Sequence, residues 1–342
     1  MLGAILAILS AASFAANNAA ARRAVVTGTP TQGMAITVPI GVVCFVLVAA
    51  LTGQIARLGQ FPSTAVGWMT AVGLMHFLLG RYCNYRANQY AGANLTGPVI
   101  QLQVVVTLAL AVVVLHEPCT VLQVLGGIVM VAGSFIAQSQ RLGRAIAVPK
   151  VGKEPADARV AATPKFVPRP AEGYLFALLA AFAYGTTPII VRTALGHAGP
   201  SSAILGGVIS YGAATAAIAL MLMVSTPLRR NVMALRRDNI PWFVYSGVFV
   251  AMAQGFLYAA VAVAPIMLVI PLTQLTLVFR IIFAMWLNPE HEVFGWKVIA
   301  GSAISLVGAS TISIDTNLLL NALGLDGAPA RLLRWQIQNW TV

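Results

Sequence analysis

The sequence predicts an all-α integral membrane protein of about ten transmembrane helices, arranged as two five-helix repeats of inverted topology. Three observations predict it. Of the 342 residues 59% are hydrophobic and only 9% charged, against a charged share of about 25% in soluble domains, and no soluble core could hide that much apolar surface. Apolar stretches of about 18 or more residues recur along nearly the whole chain. The chain also aligns with itself. A shift of 170 lays Phe14 on Tyr184, Arg22 on Arg192 and Pro30 on Pro200; a shift of 174 lays Trp68 on Trp242 and Gly73 on Gly247; a shift of 175 lays Glu117 on Glu292, Gly126 on Gly301 and Gly133 on Gly308.

Ten spans follow in order. The first repeat, 1–140, holds helices at about 2–22, 33–53, 66–86, 91–115 and 120–139; the second, 172–315, holds them at about 173–194, 201–225, 241–262, 265–287 and 294–314. The stretch from Met1 has no basic n-region and no small-residue cleavage site, so it reads as helix 1 rather than a signal peptide. Turn residues and charges separate the spans, as at Gly28 to Gly33, Gly59 to Ser63 and His116 to Thr120. Residues 141–171 carry Pro149, Pro155, Pro164, Pro168 and Pro170 with seven basic residues, which predicts an extended linker. The tail, 316–342, has one apolar face of Leu333, Ile337 and Trp340, as an interfacial helix would. An odd number of spans per repeat makes the second copy enter the membrane from the opposite side, the arrangement that rocks about a central site in alternating access.

The net charge of +12 would suggest nucleic acid in a soluble protein, but no aromatic-and-basic motif accompanies it. In a membrane protein such charge sets orientation. Loops 1, 3, 5, 7 and 9 hold sixteen Lys and Arg, and loops 2 and 6 with the tail hold four, which puts the linker in the cytoplasm and both termini outside. Cys44, Cys83 and Cys119 are too scattered for a metal site.

Helix 4 onward reads GANLTGPVIQLQVVVTLALAVVVLHEPCTVLQVLGGIVMVAGS, and the second half reads APIMLVIPLTQLTLVFRIIFAMWLNPEHEVFGWKVIAGSAISLVGAS. Both copies start on small residues, carry a mid-helix proline, close on a Glu and continue with glycines seven apart. This resembles the EamA-type families of the drug/metabolite transporter superfamily, over about 1–140 and 172–315. The resemblance implies a ten-helix carrier of small metabolites, often an exporter of amino acids or related compounds. Beside it stands the physical reading: Pro98 and Pro271 each remove a backbone hydrogen bond and can kink a helix toward a cavity. Gly126 with Gly133, and Gly301 with Gly308, let neighbouring helices approach closely. Glu117 and Glu292 are loop anchors at the water boundary or proton-coupling groups.

Polar residues inside the apolar spans either line a site or bond helices together. Asn17 aligns with Thr187 and shares a helix face with Ser10 and Ser13. Gln101 lies on the face of Pro98 and is matched by Gln274. Helices 3 and 8 add His76, Asn84, Gln254 and Tyr258. Arg280, near two-thirds depth in helix 9, costs about 2.5–3.5 kcal/mol on insertion scales; either it meets a substrate carboxylate in bidentate fashion with Thr273 and Thr276 beside it, or it snorkels toward Glu290 and Glu292. Arg81 and Arg86 read as interfacial.

No Asp or Glu lies well inside any span. The small multidrug branch of the superfamily trades protons for lipophilic cations on a buried glutamate, so a zwitterion or anion is the expected substrate class. The leading reading is a secondary transporter, an exporter of amino acids or related carboxylates, in the plasma membrane (the inner membrane in a bacterium). A passive channel or a small-molecule-binding membrane module is the alternative. An enzyme is not expected, since no Ser/His/Asp set, paired carboxylates or metal cluster converges. No cofactor or metal is predicted, and there is no Walker loop, so an ion gradient is the expected energy source. Expected partners are the bilayer and a small molecule, with the protein a monomer or homodimer.

Overall fold

The computed structural model describes residues 1–25, 28–91, 99–100, 102–146, 169–196, 202–276, 278–279, 282–283 and 296–336. Every described element is helical. In chain order they are α1 (Leu2–Val25), α2 (Pro30–Leu51), a short 3-10 turn (Ile55–Gln60), α3 (Ser63–Val72), a π-helix (Gly73–Gly80), α4 (Arg81–Ala91), α5 (Gln103–Leu115), α6 (Val121–Ile146), α7 (Pro170–Leu195), α8 (Ser202–Val224), α9 (Thr226–Met233), α10 (Ile240–Val263), α11 (Ile266–Thr273), α12 (Trp296–Ser313), α13 (Thr316–Ala322) and α14 (Ala328–Arg334).

Six helical stretches are each long and apolar enough to cross a bilayer: 2–21, 30–51, 63–84, 171–195, 202–224 and 237–263. Predicted helices 4, 5, 9 and 10 correspond to α5, α6, α11 and α12, which are shorter over their described apolar residues.

Local chemistry sets the helix ends. Thr29 caps α2 in a capping box, with its hydroxyl accepting from Gln32 N and the Gln32 side chain accepting from Thr29 N at 2.8 Å. Residue His116 closes α5 in the left-handed region, φ 52°. The chain then turns so that the half-buried Glu117 carboxylate accepts from the backbone N–H of Ile266 (2.8 Å) and Met267 (2.9 Å). A first-half side chain thus satisfies the opening donors of a second-half helix. The anchor reading of Glu117 acquires a named partner.

The packing follows a two-fold plan. Under the sequence repeat α1 corresponds to α7 and the Ser63–Ala91 helix to α10; α1 packs on α10, and α7 on the Ser63–Ala91 helix. Likewise α1 meets α11 while α7 meets α5, and α2–α8, α5–α11 and α6–α12 pair with their own counterparts. Small residues make this possible. Ala7, Ala11 and Ala15 of α1 are fully buried, and Ser10 donates to the Ala253 carbonyl of α10 at 2.9 Å. Between α6 and α12 a Cβ on Gly133 would collide with the Ser305 backbone, and one on Gly308 with the Gly126 and Met130 backbone. Large apolar residues such as Leu47, Leu79, Leu175 and Met223 point outward, as lipid requires.

The tail folds back on α6. The Asp315 carboxylate accepts from Asn317 N and Leu318 N, Thr120 Oγ1 lies 2.8 Å from Thr316 Oγ1, and Val121 N donates to Trp335 O. Of the apolar face predicted there, Leu333 is in α14, while Ile337 and Trp340 lie outside the described residues.

Candidate functional site

The third span carries the geometry that matters. Its π-helix, Gly73–Gly80, widens the turn, and single π segments occur often at functional sites. Leu74 and Leu79 are exposed while Gly73, Phe77 and Gly80 are buried. Two glycines allow close approach: a Cβ on Gly73 would strike the Ser210 carbonyl of α8, and one on Gly80 would lie 2.6 Å from the Tyr184 ring of α7.

His76 is thereby set between the halves. Its Nδ1 lies 3.3 Å from Thr187 Oγ1 on α7, and its Nε2 lies 2.7 Å from Gln254 Nε2 on α10. The Thr187 hydroxyl is already committed as donor to the Ala183 carbonyl at 2.8 Å, so its lone pair accepts and His76 Nδ1 carries the proton. Nε2 then accepts from the Gln254 amide. This directional chain leaves Gln254 Oε1 buried with no partner, while the buried Tyr258 Oη, one turn along α10, has the Ser210 hydroxyl of α8 as its hydrogen-bonding neighbour. Both residues are 0% exposed. Buried polar groups are normally satisfied, so an orphaned acceptor next to a histidine marks a candidate site.

Arg81 follows directly. The backbone at this residue is helical, φ -66° and ψ -43°, so α3, the π-helix and α4 run on as one rod to Ala91, and Arg81 lies roughly 15 Å short of its far end at about 1.5 Å per residue. It also lies within one turn of Asn84, where the apolar stretch 63–84 ends. The guanidinium donates to Thr37 Oγ1 on α2 at 3.0 Å and lies 5.4 Å from the Phe77 ring centroid. The Thr37 hydroxyl itself donates to the Gly33 carbonyl at 2.7 Å. The ion pairs among the described residues are Arg169–Glu172 and Arg236–Asp238, both on exposed side chains. Arg81 has no carboxylate partner among the described residues.

Of the predicted site residues, His76, Thr187 and Gln254 converge, with Tyr258 adjoining them. Asn17 sits on the related α1–α10 contact, where its Oδ1 accepts from Ser246 Oγ at 2.7 Å. Asn84 is half-buried in α4, and Gln274 is buried at the C-terminal cap of α11. Pro271 lies inside α11, which ends two residues later. Gln101, Pro98 and Arg280 lie outside the described residues. Thr273 and Thr276, expected to frame a lumen beside Arg280, spend their hydroxyls on carbonyls, Thr273 on Ile270 and Thr276 on Thr273 and Ala11. Sequence reasoning missed the Arg81–Thr37 pair; the signal available was an arginine following a run broken only by Thr70 and His76 in WMTAVGLMHFLLG.

Among the described residues no cluster of His, Cys, Asp or Glu could hold a metal ion. The EamA-like transporter family matches residues 1–138 and 171–314, which are the two halves that the packing relates. A solved chain described as "Crystal structure of protein" is similar in fold, with a TM-score of 0.66 at 16% identity, covering 94% of this chain and 97% of its own. No curated protein matches.

Proposed function

Because the chain belongs to the EamA-like transporter family, we propose that it is a secondary transporter, exporting small metabolites such as amino acids or related carboxylates by alternating access. The observation that carries this reading is the His76 chain. It joins one span of the first half to two of the second through Thr187 and Gln254 and ends on an orphaned acceptor, Gln254 Oε1. A polar group placed where two halves meet is what a carrier's substrate must reach from either side. The paired packing supports inverted halves that rock about that centre, and the lack of any Asp or Glu well inside a predicted span favours an anion or zwitterion over a cation.

The charge asymmetry supports a cytoplasmic linker; the reading further places the carrier in the plasma membrane (the inner membrane in a bacterium), driven by an ion gradient. Counterflow in proteoliposomes tests the reading. Vesicles preloaded with the twenty standard amino acids should accumulate labelled amino acids transiently above equilibrium. Uptake that only relaxes to equilibrium, whatever is loaded inside, would identify a channel.

A further inference from the structure

We propose that Arg81 is the receptor for a substrate carboxylate, and that Gln254 Oε1 and Tyr258 Oη receive an N–H or O–H donor on the same molecule, so that the substrate is a small acid of the amino-acid type. This rests on the transporter reading and assigns its recognition chemistry.

The argument begins with cost. An arginine inside a span is expensive unless compensated, and Arg81 has only a neutral hydroxyl and an aromatic face as partners. A guanidinium offers five N–H donors in a planar fork that matches a carboxylate. Thr37 engages one nitrogen, which leaves an open edge. Arg81 retains accessible surface beside Thr37 of α2 and the Phe77 ring, which stacks 4.0 Å from the Tyr211 ring of α8. The guanidinium also acts electrostatically on His76, Tyr211 and Tyr258, so these groups share one neighbourhood.

The second observation is independent of the first. Gln254 Oε1 is fully buried without a partner, and the buried Tyr258 Oη, with Ser210 beside it, keeps a lone pair to offer. With Gln254 Nε2 committed to His76, its free oxygen is an acceptor only. A cation unmatched by an acid among the described residues, near an acceptor unmatched by a donor, is the complement of a molecule carrying a carboxylate and an ammonium or hydroxyl group. His76 would then act as a positioning residue, holding the Gln254 amide so that its oxygen faces the ligand.

The test is a melting-temperature shift on the purified full-length protein, using an equimolar mixture of the twenty standard L-amino acids and a matched mixture of their carboxamides, which lack the carboxylate. Wild type should be stabilised by the acids and not by the amides. Arg81→Gln should abolish the shift, Arg81→Lys should weaken the apparent affinity about tenfold or more through loss of the fork, and Tyr258→Phe should fold normally yet respond less. Should Arg81→Gln fail to fold, Arg81→Lys and Tyr258→Phe decide the matter. Equal response to acids and amides, no response to either mixture, an unchanged shift in these variants, or loss confined to Arg280→Gln would overturn the assignment. Stabilisation without counterflow would instead leave the recognition site standing and remove the carrier reading; counterflow by an Arg81→Gln protein with unaltered affinity would do the reverse.

Discussion

Replacing Glu117 by alanine removes the carboxylate that caps α11, and the structure sets the size of the effect. Two bonds are lost, to Ile266 N at 2.8 Å and Met267 N at 2.9 Å. Hydrogen bonds to a charged group contribute about 1.5–3 kcal/mol each, and the charge at a helix N-terminus adds about 0.3–1 kcal/mol. The site is half-buried, so water recovers part of the loss, and a net destabilisation of about 2–4 kcal/mol is expected. Glutamine keeps one acceptor oxygen and should cost about 1–2 kcal/mol. Glu172→Ala is the control: its pairing with Arg169 is exposed and 3.4 Å long, so removing it should matter by less than about 0.5 kcal/mol. Reversible unfolding in mixed micelles by titrated SDS, followed by far-ultraviolet circular dichroism, measures all three. A Glu117→Ala protein as stable as Glu172→Ala would refute the capping argument.

Three further outcomes are expected. Gly133→Val should lower stability by about 1–3 kcal/mol, because its side chain meets the α12 backbone, which cannot yield as a flexible side chain would, whereas Gly127→Ala, facing only Ile312 Cδ1 at 3.9 Å, should melt like wild type. Deletion from Asn317 onward should cost about 1 kcal/mol through loss of the Trp335 contact with the start of α6, while flux per folded molecule stays normal; folded protein with no flux would place the tail in the transport path. A cysteine introduced at Ala161 should resist an impermeant thiol reagent added outside intact cells, and ready labelling would reverse the orientation.

The apolar runs made the spans legible, since a bilayer demands them, and the self-alignment made the two halves legible, since duplicated helices keep their turn residues and glycines. The Gly126 and Gly133 face was readable because close packing leaves a small-residue pattern. The helix beyond Arg81 was not legible for a physical reason. The segment RYCNYRANQY is polar enough to look like a helix leaving the membrane, yet it continues as α4, packed against α7 with Tyr82 and Tyr90 both meeting the Phe176 ring at 6.4 and 5.7 Å. Polar residues sheltered by a neighbouring helix escape a hydropathy argument. His76, Thr187 and Gln254 were each visible as polar residues in apolar spans, but their union depends on contacts across 111 and 178 positions, which no local pattern encodes. The π-helix left no signal in GLMHFLLG, and the cap from Glu117 to α11 required knowing which helix ends lie together.

The central claim is that substrate passes through a site shared by the two halves at His76 and Gln254. Its most direct measurement is trans-stimulation of amino-acid flux in proteoliposomes, made side by side on wild type and Gln254→Leu, with melting temperatures confirming that both are folded. The account predicts flux accelerated by internal substrate in wild type and lost in the variant. Flux through Gln254→Leu equal to wild type, or wild-type flux indifferent to internal substrate, would contradict it.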